Sequence, residues 1–362
     1  MRHALVSLAL VGCGTVAPVD DNPEVDAGEL SVDAATVEID ADLPAPNIVF
    51  ITSATSSADV GGLAGADSLC EAEANQAGLP GSYVAWLSTS SVDARDRLTG
   101  ASGWVRPDGL PVAATIEDLA RGRLLYPIDI EAAGNRAPGL NVWTGTGVDG
   151  RAAGGDCGGW EASVGTTTTG FVGSGPVDWT ANTSSIGCGR DALLYCFGID
   201  RAGAIEPPAI DGRTMFVSTT THLGSDGVAT FDATCASEAT AAGLSGTYLA
   251  VVGRPFQAPS ERLGPGEPWF RPDGVQIAAT VADFELTNTI APIAVTASGA
   301  YITGQVWTGA MDFGSTNTIH CNEWTDPAAG ATLGIAERSG TFASVGATDV
   351  CSVQHAVYCG ER

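Results

Sequence analysis

No lysine occurs anywhere in the chain, so its sixteen basic side chains are all arginine, set against 42 aspartates and glutamates for a formal net charge of −26. A field of that sign repels nucleic acid, heparin-like polyanions and anionic lipid headgroups. Cations, basic proteins and neutral sugars remain admissible partners, and solubility alone is the plainest reading of the charge. Histidine is nearly as scarce, with only His3, His222, His320 and His355. Nucleophilic catalysis needs an activated serine, cysteine or lysine with a base in reach. Between His3 and His222 there is no histidine, and the whole chain has no lysine, so no catalytic residue and no cofactor is assigned. Long apolar runs are missing too. The N-terminal run, residues 4–12, is nine residues long, where about 20 are needed to cross a bilayer.

Cysteine, by contrast, is ordered. Cys70, Cys157, Cys188 and Cys196 are separated by 87, 31 and 8 residues, and Cys235, Cys321, Cys351 and Cys359 by 86, 30 and 8. The same register carries Trp104-Val-Arg-Pro-Asp-Gly109 into Trp269-Phe-Arg-Pro-Asp-Gly274, Val142-Trp-Thr-Gly145 into Val306-Trp-Thr-Gly309, and Leu194-Tyr-Cys196 into Val357-Tyr-Cys359. The repeat predicts two homologous disulfide domains, 47–198 and 213–362, joined by a linker at 199–212 that Pro207-Pro208 stiffens. Each is near the usual domain size and large enough to bury its own core. Eight cysteines in two even sets point to an oxidising compartment. Four cysteines allow three pairings, and spacing alone selects none of them.

Cys13, the ninth cysteine, follows a short cationic start, Met1-Arg-His3, and the apolar run, as in a secretory signal. Leu10-Val-Gly-Cys13 resembles a bacterial lipobox. That resemblance implies a signal peptide over 1–12, a lipidated Cys13, and a membrane anchor contributing about 0.8 kcal/mol per buried CH₂. Gly14, in place of an aspartate, favours an outer-membrane or cell-surface destination. Residues 14–46 carry nine acidic side chains and no base. Together with Cys13 they read as a lipidated, acidic, disordered tether.

Within one repeat, the β-branched and aromatic run 47–52 predicts a first strand. A helix is predicted over 65–77, with Ala66, Cys70, Ala74 and Ala77 on one face and Gly78 as its stop. Its counterpart runs over about 230–242, stopped by Gly243. Strands follow at 82–88 and 246–252, Pro107-Asp-Gly109 turns a hairpin, and Thr115 and Thr280 can cap short helices. The last strand carries the fourth cysteine. Two helices, several short strands and a long glycine-rich segment predict an α+β domain.

Gly65-Ala-Asp-Ser-Leu-Cys70, followed by Ala77-Gly-Leu-Pro-Gly-Ser-Tyr-Val-Ala-Trp-Leu-Ser88, resembles the opening of endostatin, the C-terminal domain of collagen XVIII. The Asp-Gly hairpin, Val142-Trp-Thr-Gly145, Asp149-Gly-Arg151, Cys157-Gly-Gly-Trp160, Cys188 and Tyr195-Cys196 follow in endostatin's order. The pattern also resembles a bacterial domain family common in lipoproteins of leptospires and myxobacteria. The resemblance implies two tandem C-type-lectin-like domains with nested bridges: Cys70–Cys196 and Cys157–Cys188, then Cys235–Cys359 and Cys321–Cys351. An outer bridge closing over a hundred residues is worth roughly 4–5 kcal/mol in the chain-entropy account. Endostatin's N-terminal zinc histidines, its arginine-rich heparin surface, and the Glu-Pro-Asn and Trp-Asn-Asp calcium signatures of sugar-binding C-type lectins have no counterpart here. Neither metal nor heparin binding is therefore carried over. A formylglycine-generating activity, which uses a related fold but needs reactive thiols, is not expected either.

Trp143, Asp149, Trp160, Trp307 and Trp324 are the candidate ligand-binding residues. The tryptophans would serve as stacking platforms at the loop-rich end, the alternative being core packing beside the disulfides. Trp179 aligns with Phe342, which favours packing. Asp149 and Asp156 could help hold calcium in the first copy only, because their aligned positions are Phe313 and His320. Arg106–Asp108 and Arg271–Asp273 read as polar groups of the hairpin turns. The expectation is a lipid-anchored, non-catalytic cell-envelope protein displaying two lectin-like domains to an extracellular glycan or protein. The alternative is a structural envelope lipoprotein without a soluble ligand.

Overall fold

In each half of the chain the last strand is the central one. The computed structural model describes residues 45–182, 185–206, 209–285, 289–316, 318–339 and 347–362, so Cys13, the tether up to residue 44, Pro207-Pro208 and Phe342 lie outside the described residues. Leu193–Gly198, buried at every position, pairs antiparallel with Asn47–Ile51 and with Tyr83–Ala85, and parallel with Asn141–Trp143. Trp104–Val105 and Pro111–Ala113 extend the sheet beyond Asn47–Ile51, and Thr169–Phe171 extends it beyond Asn141–Trp143. The second half repeats this order. Gln354–Glu361 is flanked by Arg213–Val217, Tyr248–Ala250 and Gln305–Trp307, with Trp269–Phe270, Gln276–Ala278 and Gly330–Ile335 outside them. The architecture is α+β, with few helices and two large sheets. Among the described residues no helix is long and apolar enough to cross a membrane.

The first helix, Gly62–Ala77, buries Ala66, Cys70 and Ala74 at four-residue spacing, while Ala77 remains exposed. It starts three residues earlier than predicted, because Gly61 and Gly62, at φ 82° and 75°, turn the chain directly into it. Gly78, at φ 70°, ends it by donating its N–H to the carbonyls of Ala74 and Asn75. Its counterpart, Val228–Ala241, buries Phe231, Cys235 and Ala239. In both halves an aspartate of the helix holds the neighbouring strand. Asp67 accepts the Ala85 N–H at 2.9 Å and the Arg97 guanidinium at 2.6 Å; Asp232 does the same for Ala250 and Arg262, each at 2.9 Å.

Four disulfides close, Cys70–Cys196, Cys157–Cys188, Cys235–Cys359 and Cys321–Cys351, in the nested pairing that the resemblance implied. The outer bridge of each half pins the buried helix face to the central strand. The inner bridge anchors a turn that sequence reasoning missed. Cys157, Gly158, Gly159 and Trp160 all have positive φ, between 52° and 73°, and so do Cys321, Asn322, Glu323 and Trp324, between 48° and 64°. Each is one turn of left-handed helix, which costs an L-residue roughly 1–2 kcal/mol per position. Glycines relieve half of it in the first copy; the second copy bears it in full.

Two stability predictions follow from these bonds and angles. Cys70→Ala/Cys196→Ala lowers unfolding free energy by about 2–5 kcal/mol, read from the denaturant midpoint. A Cβ at Gly159 would meet no atom within 4 Å, so only the backbone angle opposes a side chain there. Glu323→Gly is accordingly expected to stabilise by about 0.5–1 kcal/mol, relief of the left-handed cost less glycine's greater unfolded-state entropy. Gly159→Glu should shift the melting temperature the opposite way.

Candidate functional site

Each candidate tryptophan is buried. Trp143, Trp160, Trp307 and Trp324 have no exposed surface. They stand in edge-to-face pairs with ring centres 6.2 Å apart in the first half and 6.1 Å in the second. Every indole N–H donates to a backbone carbonyl: Trp143 to Ser56, Trp160 to Ser88, Trp307 to His222 and Trp324 to Gly253, at 2.8–2.9 Å. The pairing also explains the motif glycine. Gly145 and Gly309 have φ of 55° and 59°, and a Cβ on either would lie 2.8 or 2.4 Å from the partner indole. With no face toward solvent these rings offer no stacking platform, and their burial supports the packing alternative.

The acidic candidates, Asp149 exposed and Asp156 half-buried, have local duties. Asp149 accepts the Arg151 N–H at 3.1 Å. Asp156 accepts the N–H of Ser90 at 2.9 Å and of Gly159 at 3.1 Å, and these donors hold its carboxyl below the usual carboxylate range. His320 in the aligned position caps the equivalent turn, its Nδ1 accepting the Glu323 N–H at 3.0 Å. Among the described residues no three histidine, cysteine or carboxylate side chains are grouped so as to hold a metal.

The structure brings together a different set of residues, where the two halves touch. Residues 43–362 form one compact unit. Arg106 and Arg271, buried in the two Pro-Asp-Gly hairpins, pair with Asp108 at 2.6 Å and Asp273 at 2.5 Å, and lie over the rings of Tyr126 and Tyr301. Burial alone would raise the Asp108 carboxyl, but the bonded Arg106 guanidinium brings it below its ordinary value. Tyr126 accepts the Gln276 N–H at 3.0 Å across the seam and packs with Val275 and Ala291. Arg136 donates to the Thr289 carbonyl at 2.6 Å, and Tyr301 donates to the Leu124 carbonyl at 2.9 Å. In the register of the repeat, 136 aligns with 301 and 124 with 289, so these two bonds are reciprocal. Farther along the seam, Arg338 pairs with Asp178 at 2.9 Å, and Gly175 donates its N–H to the Glu337 carbonyl at 2.6 Å.

Beside this contact lies an open cleft of about 690 Å³. The first half contributes Ala113, Asp118, Arg121 and Arg123; the second contributes Asp273 and the turn Ser298-Gly-Ala-Tyr301. Thr115 and Asp118 form a capping box that starts the short helix Ile116–Leu119, and the two arginines follow directly where it ends. Burial pushes the Tyr301 hydroxyl up to about 12, so it stays protonated and keeps its bond to the Leu124 carbonyl. Sequence reasoning passed over Arg121-Gly-Arg123, although two of only sixteen bases within three residues was a readable signal.

No protein-family model and no curated protein matches the chain.

One titratable group in the second half is expected to make stability depend on pH. His222 is 5% exposed, its Nε2 has no partner among the described residues, and burial holds the imidazole below its ordinary 6.5 against the attraction of Asp226 and Glu238. As the pH falls, the unfolded chain takes this proton first. His222 thus contributes stability that is intact above about pH 6.5 and declines below it until the depressed folded value is reached. In denaturation series from about pH 7.5 to 5.5, the stability gap between the wild type and His222→Gln should narrow toward the acid end; a constant gap would count against this linkage.

Proposed function

We propose that the chain is an exported, lipid-anchored binding protein of the cell envelope, in which two tandem endostatin-like, C-type-lectin-like domains present one non-catalytic site to an extracellular glycan or protein. The observation that carries this reading is the open cleft formed jointly by both halves beside a seam of buried ion pairs and hydrogen bonds. A pair of domains that served only as bulk or spacer would not require a shaped cavity where they meet. Clefts of roughly 300–1,000 Å³ with a few polar groups are the usual form of small-ligand sites. The repeated cysteine register and the Leu10-Val-Gly-Cys13 segment support export and anchoring. The charge of −26 supports a display surface that stays soluble and sheds polyanions.

The test has two arms. Palmitate labelling in a bacterial host should mark the wild type and be lost in Cys13→Ser. The purified chain should then give a defined hit on an array of glycans and extracellular proteins, and a bulky substitution in the cleft such as Ala300→Trp should remove it. Trp143→Ala belongs in the same series as a folding control, since truncating a buried tryptophan costs about 3–5 kcal/mol. A blank array would favour the structural envelope reading instead.

A further inference from the structure

The cleft's charged residues divide into engaged and unengaged. Asp118 accepts the Thr115 N–H at 3.2 Å and the Thr115 hydroxyl at 2.8 Å, and Asp273 is held by Arg271 through bonds of 2.9 and 2.5 Å. Both carboxylates are thus committed to the fold. Arg121 and Arg123 are exposed, and neither guanidinium has an ion pair or side-chain hydrogen bond among the described residues. By contrast, Arg97, Arg106, Arg136, Arg262, Arg271 and Arg338 pair with aspartates. Two unclaimed guanidiniums at the mouth of the cavity outnumber its one carboxylate without a cation among the described residues, Asp118, and make a locally positive site on an otherwise negative protein. Opposite them, the exposed Ser298 and Ala300 offer a hydroxyl and a small side chain.

Resting on the binding reading above, we propose that this cleft takes a short acidic saccharide of two or three rings, with Arg121 and Arg123 reading its carboxylate. Planar guanidiniums bind carboxylates through paired, directional hydrogen bonds. The cavity is of a size for a ligand of this kind. Its length is limited by the charge of the whole chain: a single carboxylate sees the nearby arginines, whereas a long polyanion extends beyond a screening length of about 8–10 Å into the surrounding negative field. The local site therefore admits a compact acid while the protein as a whole still rejects heparin-like chains.

The experiment is calorimetric titration of the purified full chain with uronate- and sialate-bearing di- and trisaccharides, their carboxyl-amidated counterparts, and short acidic peptides. At least one acidic saccharide should bind, its amide about tenfold or more weakly, and Arg121→Gln/Arg123→Gln should lose a similar factor for the acid alone. Both substituted side chains are exposed, and circular dichroism and melting temperature confirm that the variant is folded. Arg121→Lys/Arg123→Lys should retain part of the affinity. Equal binding of acid and amide, an unchanged affinity in the folded glutamine variant, preference for the acidic peptides, or no binding by any acidic saccharide would each overturn the proposal. A hit on the wider array that ignores Arg121 and Arg123 would leave the binding reading standing without this site; a blank on both would remove both.

Discussion

The constraint on which each half depends is that its last strand must occupy the middle of its sheet. Leu193–Gly198 and Gln354–Glu361 each pair with the first strand of their half, with the strand after the long helix and with the strand of the Val-Trp-Thr-Gly motif. No sheet is complete until the chain returns from over a hundred residues away, and non-local pairing of that kind carries a large closure cost. The outer disulfide joins the same central strand to the first helix. In the chain-entropy account it acts on this very cost, by shortening the loop available to the unfolded chain. Everything irregular, including the left-handed turn and the hairpins, is hung on a frame fixed by that strand.

The scarcity of bases shapes the interior as much as the surface. With sixteen arginines and no lysine, the chain uses guanidiniums where a fork of donors can satisfy an aspartate and a carbonyl together. Arg97 and Arg262 each bond a helix aspartate and a strand carbonyl. Arg106 bonds Asp108, Asp129 and the Pro127 carbonyl from a position only 3% exposed. A buried charge is tolerated when its hydrogen bonds are complete, and removing one partner is then far more damaging than the pair is stabilising. The two exposed guanidiniums beside Asp118 have no such partner among the described residues, which leaves the cleft a net positive edge.

Much of the frame was legible because it is local or periodic. Cysteine spacing exposed the repeat, the four-residue spacing of Ala66, Cys70 and Ala74 exposed the helix, and Gly78 exposed its end. The tryptophans were less readable. A ring three residues after a bridged cysteine can face inward or outward, and only the carbonyls of Ser56, Ser88, His222 and Gly253, all distant in sequence, show which. The left-handed turn was half-written as Cys157-Gly-Gly-Trp160 but disguised in its copy as Cys321-Asn-Glu-Trp324. The seam was not legible at all. Its bonds run between side chains and carbonyls with no periodic signature, and it lies across a boundary that composition marks only as a linker.

That seam also bears on how the copies diverged. Arg136 and Tyr301 occupy one position of the repeat, and each donates across to the carbonyl of the other half's equivalent residue, Thr289 or Leu124. Reciprocal contacts between equivalent residues are the mark of a two-fold interface, here within a single chain. Asp129 pairs with Arg136 in the first half, and the aligned position beside Tyr301 is Ala294. The exchange of a charged pair for a tyrosine and an alanine keeps the cross-seam donor while removing a buried carboxylate that would have needed its own cation. Once the halves are covalently joined, the two sides of such an interface need not remain identical. One side of the seam can keep a charged pair that the other has lost, and a cleft built from unlike surfaces becomes available without loss of the contact that holds the halves together.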